Sequence, residues 1–250
     1  MGNKIINNKK YNSVIIYFAL LMIYIVLGEL TSLLNFLPKP SILFESFVSL
    51  WSDYNLFAEL SISTAAVYLG LLFGIAILEL LSKYLISLKN ESGKVFEYFA
   101  FLKYFPAFFF AILFSFWFPD SIIAEIIFST LAVLAILIPF AQKAFSDANK
   151  SFIDSALSYK VSKSELTNII WKDSQPKIYE NLTRVHYYLW ILIMIFEFIG
   201  AYNGVGSVYY KAHNFNDYTA FFSLAILIAI LIWLGDSLIR LLKNKIIFWE

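Results

Sequence analysis

Long apolar runs separated by shorter polar segments recur along the whole sequence. The hydrocarbon core of a bilayer is about 30 Å thick, so a helix that crosses it needs roughly 20 mostly apolar residues. Runs of about this length occur at Ser13–Leu34, Leu60–Leu81, Phe96–Phe118, Ser121–Phe145, Leu182–Phe198 and Phe221–Leu242. The pattern therefore predicts an all-α, polytopic membrane protein with about six transmembrane helices.

The composition agrees with a membrane location and argues against several classes of function. Of the 250 residues, 60% are hydrophobic and only 15% are charged, which is too few charges for a water-soluble surface. The net charge of +1 gives no field that would hold nucleic acid. With no cysteine and two histidines, thiolate chemistry is excluded and metal ligands are scarce. We therefore expect no catalytic residue, no metal site and no nucleic-acid partner.

The loops differ strongly in their content of basic residues. Of the 19 lysines and arginines, Lys39 and Lys211 lie in loops on one side, Lys103 falls within a span, and the rest lie on the other side. Because basic loops stay in the cytoplasm, both termini are predicted to be cytoplasmic. The first run is too long for a signal peptide and lacks a small-x-small cleavage site, so we expect a retained helix. This divides the chain into a cytoplasmic N-terminus at 1–12 and a single transmembrane domain at 13–250.

Two loops carry helical patterns of their own. Residues 35–59 contain a proline and serine start signal followed by apolar residues at helical spacing, which predicts an interfacial helix on the outer surface. Residues 146–181 form the longest polar stretch. They contain two short apolar faces, namely Phe152, Ile153, Ala156 and Leu157, and then Leu166, Ile169 and Ile170. This second loop predicts a pair of short helices offered to a cytoplasmic partner.

Several short motifs from residue 37 onwards follow the spacing of one group of membrane proteins. Residues 37–41 read Leu-Pro-Lys-Pro-Ser, Lys103 and Pro106 lie in the third run, and residues 116–118 read Phe-Trp-Phe. After Pro176 the order and spacing continue through Leu182, Trp190, Glu197, Gly200, Gly204 and Gly206. In these features the sequence resembles the inner-membrane permease subunits of binding-protein-dependent ABC importers, in the branch that carries sulfonates, taurine, nitrate and related small compounds.

The cytoplasmic loop at 146–181 is similar to the coupling loop of that family, with departures. Where the family has Glu-Ala-Ala and then a glycine four residues after the second alanine, this sequence has Asp154, Ser155, Ala156 and Lys160. The stretch before Pro176 is also one residue shorter. Glycine favours a left-handed turn, and a lysine in the same backbone costs roughly 1 kcal/mol or more, so a different local turn is expected.

The resemblance implies a type I ABC importer permease with a MetI-like fold in a bacterial inner membrane. Two copies, most simply a homodimer, would form a pathway for a small solute, with an anion as one candidate. An extracytoplasmic solute-binding protein would deliver the solute, and a cytoplasmic ATPase dimer would bind ATP and Mg²⁺. This chain has no G-x-x-x-x-G-K-[ST] segment, so no cofactor is expected on it. The resemblance places the ATPase contacts among Asp154, Ser155, Ala156, Leu157, Lys160, Lys163, Glu165 and Leu166.

Polar residues within or beside the apolar runs leave alternatives open. Lys103, one turn before Pro106, would attract an anion in the pathway, snorkel to the surface, or pair with an acid such as Glu79, Glu125 or Glu197. Glu197 itself would cap loop amides, pair at a dimer interface or contact the solute. The outer-loop glycines, Gly200, Gly204 and Gly206, fit a re-entrant turn at a docking position for the binding protein, or a plain connection. Glu79 and Asp236 are expected to make intramembrane polar contacts.

A second class of function competes with the importer subunit. A membrane channel or scaffold that works without ATP, or a membrane-embedded enzyme, would have the same apolar runs. The two classes differ in whether an ATPase accompanies this chain.

Overall fold

The regular structure of this protein is helical throughout the part that the structure describes. The computed structural model describes residues 15–19, 21–26, 28, 38–91, 107–118, 121–201 and 203–247. In chain order the helices are α1 (Pro40–Ser52), α2 (Leu56–Glu91), α3 (Ala107–Trp117), α4 (Ile122–Ser146), α5 (Lys150–Ser158), α6 (Lys163–Tyr179), α7 (Leu182–Gly200), α8 (Gly204–Asn214) and α9 (Tyr218–Ile246). The all-α prediction is confirmed.

Four of the predicted membrane spans are present as long apolar helices. They correspond to the second, fourth, fifth and sixth runs and cover Leu56–Ser87, Ile122–Ser146, Leu182–Gly200 and Tyr218–Ile246. Of the first run, the helical residues 15–19 and 21–26 are described, and α3 covers the second half of the third run. The remainder of both runs lies outside the described residues. The structure thus supports four spans, and the count of about six stays a prediction.

The chain divides into two compact units. The larger comprises residues 56–211 and 228–250, and the smaller comprises residues 1–55 and 212–227. The larger unit contains α2 to α7. The smaller unit contains α1 and the first turns of α9.

Glycines allow α2 and α4 to pack closely in the larger unit. A Cβ built on Gly70 would overlap Ser129, and one built on Gly74 would overlap Val133. From the first contact to the second, the residue number increases by four in both helices. The two helices therefore run in the same direction with a constant register. Close approach of this kind is the ordinary use of glycine within an apolar membrane helix.

In the smaller unit, α1 packs against the beginning of α9. The Ser223 hydroxyl donates to the backbone carbonyl of Leu43 at 3.3 Å, and the Tyr54 hydroxyl donates to Asp217 Oδ2 at 2.9 Å. Asp217 caps α9 by accepting from the Ala220 N–H at 2.9 Å. The helix predicted within residues 35–59 is therefore present, and it begins with a proline in its first turn.

Candidate functional sites: a helical hairpin and a buried carboxylate cluster

Helices α5 and α6 form a hairpin with well-defined caps. The Asn149 side chain accepts from the Ser151 N–H at 3.0 Å and begins α5. At the start of α6, Ser162 and Glu165 form a capping box, in which the Ser162 N–H donates to Glu165 Oε2 at 2.8 Å. That backbone hydrogen bond lowers the pKa of Glu165. Glu165, assigned to the coupling site from sequence, thus holds the helix end in place.

The turn of the hairpin has the left-handed backbone that glycine usually supplies. Lys160 has φ of 52°, its N–H donates to the Leu157 carbonyl at 3.0 Å, and the Val161 N–H donates to the Ala156 carbonyl at 3.3 Å. These two bonds form a Schellman motif with Lys160 in the glycine position. The expectation of a different local turn is therefore wrong, because the two bonds fix the backbone despite the larger side chain.

The apolar residues of α5 do not share one face. Phe152, Leu157 and Tyr159 are 56%, 55% and 84% exposed, whereas Ala156 is buried at 7%. The sequence interpretation that placed Ala156 with Leu157 on one docking face is corrected: consecutive residues in a helix point about 100° apart, and Ala156 points into the hairpin. Of the other predicted coupling residues, Asp154, Ser155, Lys160 and Lys163 are exposed and Leu166 is half-buried.

The hairpin is attached firmly to the end of the α4 span. Lys177 Nζ donates to the Asp147 carbonyl at 2.7 Å, and the Asn149 N–H donates to Asp173 Oδ2 at 3.0 Å. Phe145 and Trp171 also pack, with ring centroids 6.0 Å apart. Helix α6 has 17 residues, which is longer than the short helix expected, and it packs against both α4 and α2. A force on the hairpin would therefore reach two spans.

A buried carboxylate cluster lies at the opposite end of the spans. Glu197 is 2% exposed; its Oε1 accepts from the Ser63 hydroxyl at 2.6 Å, and its Oε2 accepts from the Gly206 N–H at 2.8 Å. The Val205 N–H donates to Ser63 Oγ at 2.8 Å, and the Gly204 N–H donates to Glu59 Oε2 at 2.7 Å. These acceptors satisfy the free N–H groups at the start of α8, where negative charge is also favoured by the helix dipole.

The glycines near Glu197 are required by close approach. A Cβ on Gly204 would overlap the Glu197 carboxyl group, and one on Gly206 would overlap the backbone of α7. Both residues belong to the first turn of α8, so the predicted loop contains a helix here. The left-handed residue that ends α7 is Ala201, at φ 60°, and it follows Gly200. The amide-capping role considered for Glu197 is the one its hydrogen bonds show.

The cluster contains further charged groups. Lys211 Nζ lies 3.2 Å from Glu59 Oε1. Glu125, in the first turn of α4, is 4% exposed, and its Oε2 has no hydrogen-bond partner among the described residues. Gly70 lies opposite Ser129, and the two helices run in the same direction, so Glu125 lies opposite Ala66. Ala66 is one helical turn from Ser63 on α2.

A comparison with known protein families adds to this geometry. Residues 94–248, more than half of the chain, match the family described as binding-protein-dependent transport system inner membrane component. The chain belongs to this family. It is therefore the membrane permease of an ABC transporter, a multi-pass inner-membrane protein and a transport component rather than an enzyme. Members of the family work with an ATPase and a solute-binding protein. Neither a search of curated proteins nor one of solved structures gave a match.

The family match covers the hairpin and Glu197 but not every residue of the cluster. Glu59 and Ser63 precede the matched region of the permease, and the sequence interpretation missed both, together with the position of Lys211. A signal was available, since Glu59 and Ser63 are polar residues four positions apart at the start of an apolar helix and therefore share one face. Lys103 and Pro106 lie outside the described residues, so their assignment to the pathway stays a prediction.

A polar contact within the permease joins α7 to α9. His186 is fully buried, its Nδ1 lies 2.8 Å from Asp236 Oδ1, and its Nε2 accepts from the Trp190 Nε1–H at 3.0 Å. Because Nε2 accepts, the proton of the neutral ring is on Nδ1 and is donated to Asp236. The polar contact expected for Asp236 is confirmed. Glu79, for which the same was expected, has an exposed side chain.

Proposed function

We propose that this permease is the transmembrane subunit of an ABC importer in the sulfonate, taurine and nitrate branch. Two copies form the translocation pathway, a separate ATPase dimer binds ATP and Mg²⁺, and an extracytoplasmic solute-binding protein delivers a small solute. The observation that carries the proposal is the hairpin of α5 and α6, which is rigidly capped, attached to two spans and exposes apolar side chains at its tip.

The hairpin has the properties that a mechanical coupling element needs. Its exposed tip presents Leu157 and Tyr159, which are costly to leave in water and favour a protein partner. The body of α6 is buried against the spans through Ile170, Trp171 and other residues. An ATPase groove that closes around the tip would therefore move α2 and α4 without bending the hairpin.

The orientation of the permease in the membrane and the class of its solute are proposed from the resemblance and from the pattern of charged residues. With the hairpin in the cytoplasm, both termini are cytoplasmic, and α8 with the carboxylate cluster lies on the side of the solute-binding protein. Both oxygens of Glu197 hold the cluster together, which favours a structural role over solute contact. Lys103 and Pro106 are the proposed pathway residues, and the lysine favours an anionic solute.

Co-purification tests the proposal directly. After extraction in mild detergent from its native cells, the permease is expected to retain an ATPase whose hydrolysis is stimulated by the permease. If no ATPase is retained under conditions that preserve membrane complexes, the channel, scaffold or enzyme alternative is favoured instead.

A pair of variants tests the hairpin within the same assay. Leu157→Asp places a charge on the exposed tip, and Asn168→Asp places the same charge on an exposed position of α6 away from the tip. We expect Leu157→Asp to reduce ATPase retention at least tenfold and Asn168→Asp to leave it unchanged, because a carboxylate buried at a contact without a partner costs several kcal/mol. Equal retention by both variants would show that the tip is not the coupling surface.

A further inference from the structure

Helix α1 presents three different faces along its length. One face is buried in the smaller unit and contains Leu43, Ser46 and Leu50. A second face is apolar but exposed, with Phe44 at 74%, Val48 at 62% and Trp51 at 46%. A third face is exposed and polar and contains Ser41, Glu45 and Ser52. This division is typical of a helix that contacts protein, an apolar medium and water at the same time.

The position of α1 is fixed at several points. The Ser223 hydroxyl donates to the Leu43 carbonyl at 3.3 Å and holds the buried face against α9. At the end of α1, the Tyr54 hydroxyl donates to Asp217 at 2.9 Å. Before α1 begins, the Tyr24 hydroxyl donates to the carbonyl of Pro38 at 2.6 Å. The exposed apolar stripe therefore has a defined depth relative to α9.

The depth follows from the length of α9. Its basic residues begin at Arg240, which marks one edge of the hydrocarbon core, and about 30 Å corresponds to roughly 20 helical residues. Counting back from Arg240 places the opposite edge near Ala220. Ser223, and with it Leu43, therefore lies within a few ångströms of that edge, which is the depth of the membrane interface.

The exposed surface of α9 at the same depth is also apolar. Tyr218, Phe222 and Ile226 are exposed there and recur every four residues along one side of a membrane-spanning helix. In the smaller unit, the stripe on α1 therefore lies at the same depth as a lipid-facing side of a span. Tryptophan and tyrosine are enriched at this depth in membrane proteins, because each combines an apolar ring with a polar N–H or O–H group.

We propose that α1 is a lipid-embedded interfacial helix. Phe44, Val48 and Trp51 enter the boundary between headgroups and acyl chains, and Glu45 and Ser52 face water. The smaller unit is then anchored in the outer leaflet by α1 as well as by the span. A second copy of this chain is the alternative occupant of the stripe, and a labelling experiment distinguishes it from lipid.

The absence of cysteine from the sequence makes a labelling experiment direct. Val48→Cys and Glu45→Cys place a nitroxide label on the apolar and polar exposed faces of the same helix. The full permease is reconstituted in liposomes without its partners, and the accessibility of each label to oxygen and to a water-soluble nickel complex is measured by power saturation. We expect the label at 48 to be several-fold more accessible to oxygen than to nickel, and the label at 45 to show the reverse preference.

Two results would overturn the proposal. Greater access of nickel at position 48 would place the stripe in water. An immobilised label at 48 from which both reagents are excluded would mean that protein, a second copy in this preparation, covers the stripe. Phe44→Cys, one turn earlier on the same face, provides an independent measurement, and an unchanged thermal transition of each labelled variant shows that the fold is retained.

Discussion

Lys160 occupies a backbone conformation for which glycine is the ordinary residue. Its φ of 52° is held by two hydrogen bonds that end α5, and its side chain is exposed. The Cβ of a residue other than glycine crowds the following carbonyl in this conformation, which costs about 1 kcal/mol or more. The hairpin therefore tolerates local strain at its turn because the caps on both sides determine the backbone.

Lys160→Gly is expected to stabilise the hairpin. Removing about 1 kcal/mol of backbone strain at the turn would slow hydrogen exchange of the amides around it roughly fivefold. Tyr159→Gly is the control, because Tyr159 has φ of −82°, which any residue adopts, and glycine there should speed exchange instead. Faster exchange in Lys160→Gly would mean that the lysine side chain contributes contacts that outweigh the strain.

Ala156 and Leu157 are neighbours whose substitution should have different consequences. Ala156→Asp buries a carboxylate within the hairpin and is expected to destabilise it by several kcal/mol, whereas Leu157→Asp leaves the hairpin folded. Limited proteolysis of the 146–181 segment measures the difference. If the two variants are cleaved at the same rate, Ala156 is not buried as described.

At the scale of elements, α8 is held by acceptors that come from two other helices. Glu59 and Ser63 belong to α2 and Glu197 belongs to α7, and each accepts an N–H group from the first turn of α8. The start of a short helix with two glycines is weak by itself. The packing of α2 and α7 therefore determines whether α8 forms.

Glu197→Gln tests this arrangement with little change in size. An amide has one carbonyl oxygen, so the side chain can no longer accept from both the Gly206 N–H and the Ser63 hydroxyl, and a buried donor without a partner costs about 1–3 kcal/mol. We expect faster hydrogen exchange in the first turn of α8. Glu79→Gln, at an exposed position of α2, is the matched control and should leave exchange unchanged. An unaltered first turn in Glu197→Gln would contradict the capping role.

At the scale of the larger unit, packed helices connect the hairpin with the carboxylate cluster. Helix α6 packs against α2 and α4, and the close contacts at Gly70 and Gly74 hold those two spans in one register. The same spans carry Glu59, Ser63 and Glu125 at their other end. A displacement of the hairpin would thus be carried to the cluster by rigid elements rather than by a flexible loop.

Lys103→Met tests the proposed pathway in the assembled transporter. If the lysine attracts an anion, uptake into liposomes falls at unchanged expression, while basal ATP hydrolysis continues, because methionine retains the length but not the charge. Loss of assembly together with a lower melting temperature would identify Lys103 as a structural ion-pair partner. Unchanged uptake would remove it from the mechanism.

The sequence by itself determined the elements whose signal is local. The length of the apolar runs predicted about six spans, and four of them are present as long helices in the structure. The proline and serine start signal predicted α1, and the polar stretch after Phe145 predicted a pair of helices. These features depend on burial in lipid and on helix caps, which act over a few residues. The family resemblance was likewise carried by spacing along the chain, and the family match confirmed it at the level of an ABC transporter permease.

Only the tertiary structure decided which side chains meet. Ser63 reaches Glu197 across 134 positions of sequence, and the Gly204 N–H reaches Glu59 across 145, so no local pattern could pair them. The direction in which the Ala156 side chain points likewise depends on the packing of α5 against α6. The strained turn at Lys160 depends on the helix caps on either side of it. Apolar periodicity identifies a helix, but the face that it buries is selected by its neighbours in space.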